Sequence, residues 1–126
     1  MYKSISVIVP AGTQPDDPVR IPLKLCEGTI RSIDIRSAIG PQWELYVKLE
    51  YRETPLVPFD ESEWIPMEEH RIRVEPNWSR WDGTYSIDIL GCSPQARFNH
   101  TFIVDIEVEE GMTMVEAILD LISRGL

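Results

Sequence analysis

Cysteine and histidine are scarce, two of each in 126 residues. Cys26 and Cys92 stand far apart with no CxxC spacing, which excludes a disulfide framework or a paired-cysteine zinc ribbon and leaves two reduced structural thiols as the expectation. His70 and His100 are the only conventional bases, and no GxSxG elbow is present, so nucleophilic hydrolysis has no recognisable constellation. Positive charge is also short. Twelve Lys and Arg face 21 Asp and Glu, a net charge of -9 and a pI near 4.6, and such a balance opposes binding to phosphate backbones; no nucleic acid is expected as a partner. The glycines at 12, 28, 40, 83, 91 and 111 stand singly at turns and make no phosphate cradle. No run of about 18 apolar residues occurs. The opening MYKSISVIVPAG has neither a long apolar core nor a small-residue cleavage site, so the expectation is a protein made in the cytoplasm, with no membrane partner.

What the chain has in quantity is alternation. In WELYVKLEYR, residues 43–52, Trp43, Leu45, Val47, Leu49 and Tyr51 share one parity while Glu44, Lys48, Glu50 and Arg52 fill the other. Side chains alternate across a strand with period two, so this is a strand with one buried face, and a slip of one residue would invert both faces. The same period recurs over residues 4–9, 19–25, 29–37, 70–74, 84–90 and 100–108. Pro22 has no N–H for a ladder and predicts that residues 19–25 lie at a sheet edge or carry a bulge there. In residues 29–37, Ile30 has the opposite parity to Ile33 and Ile35, which predicts either a bulge near Arg31-Ser32 or a strand buried on both sides. Pro10-Ala11-Gly12 ends the first strand, and Gly91-Cys92-Ser93-Pro94 is read as a breaker.

Seven or eight short strands without intervening helices predict an all-β fold: an antiparallel β-sandwich, jelly-roll-like, in one domain spanning 1–126. The expected core is Ile5, Val7, Ile21, Leu23, Ile33, Ile35, Leu45, Val47, Leu49, Ile87, Ile89, Val104 and Ile106. One C-terminal α-helix, about 113–124, follows from the capping box Thr113-x-x-Glu116, apolar residues at helical spacing and Gly125 at the stop.

Three stretches offer surfaces. Residues 54–69 read as a long acidic, proline-rich excursion anchored by Phe59 and Trp64 and presented to a partner. Trp78-x-x-Trp81 combines large apolar area with polar N–H groups and suits either a protein contact or a sugar ring; the bland reading is that both indoles cap the open end of the sandwich. On the helix, Met114, Ala117 and Leu121 belong to an apolar arc too wide for one sheet, which predicts an assembly surface; the bland reading wedges the helix between the sheets. The acidic clusters at 16–17, 60–63, 68–69 and 107–110 lack EF-hand spacing and read as solvated faces, with calcium the alternative.

The stretch VPAGTQPDDPVRIPLKLCEGTIRSIDIRSAIGP, followed by LYVKLEY, resembles small single-domain β-sandwich virion proteins of tailed bacteriophages. The shared outline is a first strand, VPA, a polar turn, a PV-led strand, a short glycine turn, an Ile-rich strand and a glycine-proline loop, with an echo in HTFIV at 100–104. The Trp-rich segment 77–83 and the capped helix depart from it. The resemblance implies a non-enzymatic structural protein of the virion, such as a capsid decoration or cement protein, without cofactor or metal. Its implied partners are proteins, namely itself as a homo-oligomer and other capsid components. The alternative from the residues themselves is a carbohydrate-binding β-sandwich module using Trp78 and Trp81.

Overall fold

Alternation on this scale requires two sheets that each bury one face. The computed structural model, which describes residues 1–37, 44–52, 54–57, 64–67, 71–76, 78–80, 83–110 and 122–123, has them. In chain order the strands are β1 (Tyr2–Val9), β2 (Val19–Leu25), β3 (Gly28–Ser37), β4 (Leu45–Tyr51), β5 (Thr54–Val57), β6 (Ile65–Met67), β7 (Arg71–Val74), β8 (Trp78–Arg80), β9 (Tyr85–Cys92) and β10 (His100–Glu109). Every pairing is antiparallel. One sheet has the order β1-β10-β3-β7 with β8 also on β3; the other has β2-β9-β4-β5 with β6 also on β4. The fourth row of each sheet is thus two short strands laid end to end. β7 and β8 lie along residues 33–36 and 28–30 of β3, and β5 and β6 lie along residues 49–51 and 45–47 of β4.

The inner faces of both sheets meet in one apolar cluster that includes Val7, Ile33, Ile35, Phe102, Val104 and Ile106 from one sheet and Leu23, Leu45, Val47, Leu49, Ile87 and Ile89 from the other. Of the expected core, only Ile5 and Ile21 are partly buried rather than buried. Both lie on outermost strands, β1 and β2, where among the described residues no neighbouring strand covers one side. Pro22 is on the edge strand β2, as its missing N–H requires. The bulge is also where parity placed it: β10 pairs Glu107 with Ser32 and then Val108 with Ile30, which leaves Arg31 as the extra residue.

Two readings need correction. The strands number ten among the described residues, not seven or eight, because residues 54–69 contain β5 and β6 and the tryptophan segment contains β8. Pro55 and Pro66 sit in the outer row of their sheet, where a missing donor is tolerated. Gly91 does not break β9. It faces inward from that strand, and a Cβ there would lie 2.7 Å from Val9 Cγ2 and 2.9 Å from Phe102 Cε1, so glycine lets the two sheets approach. The helix at about 113–124 lies outside the described residues except for Ile122 and Ser123, which are helical. Phe59, Trp81, Met114, Ala117 and Leu121 lie outside them too.

Candidate interaction surface

The residues that might have carried catalysis are kept apart. On β9 the parity of Ile87, Ile89 and Gly91 is inward, so Cys92 faces the outside of its sheet, whereas His100 is on β10 of the other sheet, opposite Val9. His100 Nε2 lies 3.6 Å from Glu44 Oε2. Burial pushes the Cys92 thiol up to about 11, away from the reactive thiolate. Cys26 follows Leu25, which pairs with Tyr85, while Cys92 follows Gly91, which pairs with Val19. The two cysteines therefore stand at opposite ends of β9, about eight residues or roughly 26 Å apart at a strand rise of about 3.3 Å per residue, and neither bond each other nor share a metal. His70 lies outside the described residues. Among the described residues no three His, Cys, Asp or Glu side chains gather as metal ligands, and no helix is long and apolar enough to cross a membrane.

The outer faces carry charge that is largely satisfied internally. On the β1-β10-β3-β7 sheet, Asp105 and Asp34 are directly opposite each other on β10 and β3 and only 6% and 5% exposed. Like charges so placed repel, and arginines relieve them. Arg71 holds Asp34 through Nε at 3.0 Å and Nη2 at 3.0 Å, and Arg73 Nη1 donates at 3.1 Å. Asp105 accepts from Ser4 Oγ at 2.5 Å and has Arg36 Nε at 3.6 Å. The Arg71 hydrogen bond is the main reason that the Asp34 carboxyl is held below the usual carboxylate range, against the opposing effect of burial. On the other sheet Arg20 bridges Asp88 at 2.8 Å and Glu50 at 3.3 Å, and Lys48 lies 3.5 Å from Glu50.

Of the predicted contact residues, Trp78 is half-buried in β8 and packs edge-to-face with Tyr51 at 5.0 Å and Tyr85 at 5.4 Å between ring centroids. It closes one end of the core, as in the bland reading, and is not presented as a bare ring. Trp64 lies elsewhere, on the outside of the β4 sheet, with Lys48 Nζ 4.4 Å from its ring centroid. With Pro15, Tyr46, Cys92, Pro94 and Gln95 it lines an open cavity of about 350 Å³. The structure does not bring Trp64 and Trp78 together.

Periodicity gave no hint of one exposed feature, the edge of β1 that no other strand joins among the described residues. Met1 N donates to Val108 O at 2.6 Å and Val108 N donates to Met1 O at 2.7 Å, which fixes the phase of the β1–β10 ladder. In antiparallel pairs the bonded residues alternate. Lys3, Ile5, Val7 and Val9 therefore bond to β10, and the N–H and C=O groups of Tyr2, Ser4, Ser6 and Ile8 point away from the sheet. Tyr2 and Ile8 are 66% and 62% exposed, and Phe98, near the Ile8 end, is 76% exposed. No protein-family model matches this chain, and no curated protein sequence matches it. The signal for this edge was in the sequence nonetheless: YKSISVIV is an eight-residue strand with one charge and no proline.

Proposed function

We propose that this protein is a non-enzymatic assembly protein that works by protein–protein contact. The observation that carries the reading is the β1 edge, eight residues long, whose outward amides and carbonyls flank two exposed apolar side chains. Proteins ordinarily blunt such edges with proline, charge or a bulge because an unblunted edge recruits another strand. The strand order supports a finer reading. With β5/β6 and β7/β8 each counted as one row, the chain winds between sheets in the order of a jelly roll, two Greek keys back to back, an architecture shared by viral capsid domains and lectins. Fold alone does not assign function. The likeness of residues 9–51 to phage virion proteins favours the first of those hosts, so the protein is read as a virion component such as a capsid decoration or cement protein, with self and capsid proteins as partners. The sugar-binding alternative is weakened at Trp78, whose ring is engaged by two tyrosines, and rests on Trp81.

Mass spectrometry of particles purified from producing cells tests the reading. The protein is expected at a fixed copy number relative to the shell protein; its confinement to the soluble fraction would refute the virion assignment. Retention on immobilised glycans, lost in Trp81→Ala, would favour the alternative.

A further inference from the structure

From the open edge we infer that the partner strand of β1 is β1 of a second copy, paired antiparallel about a two-fold axis at Ile5. This rests on the assembly reading and names its partner. The other outer rows are protected. β2 carries Pro22 between Arg20 and Lys24, β5 and β6 carry Pro55 and Pro66, and β7 presents Arg71 and Arg73 folded onto Asp34. β1 has no proline, no bulge and no carboxylate, and one charge, so it is where two molecules of charge -9 meet with least repulsion. Its single charge, Lys3, would face Val7 of the second copy. The two Lys3 side chains then stand four residues apart along the strands, roughly 13 Å, beyond a Debye length of about 8 Å.

The strand is also complementary to itself. Pairing about Ile5 sets Tyr2 against Ile8 and Ser4 against Ser6 of the second copy, and the reverse. All the outward residues are used in closely spaced pairs, with about eight new backbone hydrogen bonds. Both exposed apolar residues are covered by an aromatic–β-branched contact, a favourable cross-strand pair. Shifting the axis to Ser4 strands Ile8, and shifting it to Ser6 strands Tyr2. The interface is isologous, as closed dimers require, and turns two four-row sheets into one continuous sheet.

The test is sedimentation equilibrium of the full chain with two variants. In Ser6→Pro the lost N–H points outward, so the β1–β10 ladder keeps its bonds while the edge is blocked as in β2; Ile8→Lys adds a charge there. The expected result is a concentration-dependent dimer, weakened at least about tenfold in both variants, with their thermal midpoints close to that of the parent at concentrations where the parent is monomeric. In a Cys26→Ser background, a mixture of Tyr2→Cys and Ile8→Cys chains should cross-link under mild oxidation while neither alone does. A parent that stays monomeric, a dimer that survives Ser6→Pro, or cross-linking of Tyr2→Cys alone would overturn the inference. Failure here is distinct from failure of the assembly reading. A monomer that is present in particles and lost from them in Ser6→Pro would mean that the edge takes a strand of another protein. A dimer that is absent from particles would leave the self-pairing and remove the virion role.

Discussion

Replacing Gly91 by alanine should destabilise the protein through steric overlap between the sheets, and the cost can be worked from the structure. The added methyl would sit 2.7 Å from Val9 Cγ2 and 2.9 Å from Phe102 Cε1. Val9 and Phe102 are both fully buried, so neither can swing into solvent and the strands must part. Overpacking of this kind costs about 1–3 kcal/mol. At about 2.1 cal/mol/K per residue, 126 residues have an unfolding entropy of roughly 0.26 kcal/mol/K, so the midpoint should fall by about 4 °C per kcal/mol, or 4–12 °C in all. Val9→Ala alone should also destabilise, by about 2 kcal/mol, because it leaves a cavity. In the double variant, however, the Gly91→Ala methyl occupies part of that cavity, so the two costs should sum to less than additive by about 1 kcal/mol. Urea unfolding followed by tryptophan fluorescence measures all four corners of the cycle. A neutral Gly91→Ala, or strict additivity with Val9→Ala, would refute the close approach of β9 to β1 and β10.

Two further outcomes follow from the ionisable groups. Asp34 titrates below its unfolded value, so its contribution to stability is complete above the ordinary carboxylate range and is lost as pH falls through its folded value; Asp34→Asn should therefore lower stability near neutrality and flatten the acid limb of a stability–pH profile, and an unchanged acid limb would count against the Arg71 pairing. With its thiol raised to about 11 and buried, Cys92 should resist a thiol reagent at pH 8 in the native state while the partly exposed Cys26 reacts, and both should react in guanidinium; labelling of Cys92 in the native protein would contradict its placement.

Much of the sandwich was legible because burial on one face forces period two. Residues 19–25 were bounded as β2 is, and the parity of Ile30 offered a bulge near Arg31-Ser32, where the β10–β3 ladder shifts. What escaped has a common cause: short outer-row strands take their residues from the edge's tolerance, not from alternation. Pro55 and Pro66 look like loop residues until the strand beside them, β4, is known to supply the only ladder they join. Trp78–Arg80 is too short to show a period. Gly91 has the composition of a turn but serves the packing of two sheets, a relation between residues distant in sequence. Burial also escapes a reading by residue type. Large aromatic side chains drew attention to Trp78, which closes the core, while the edge of β1 is marked by what it lacks.

The place of β10 bears on how the protein comes into being. Among the described residues it is the last strand in sequence, yet it lies between β1 and β3 and pairs with both. A ribosome that has delivered everything up to Asn99 has delivered both neighbours of a missing strand, so the first sheet closes only when β10 arrives. Pairings of such long sequence separation form slowly. Until then β1 is bare along both edges, and a nascent chain is most prone in that interval to trade strands with another copy.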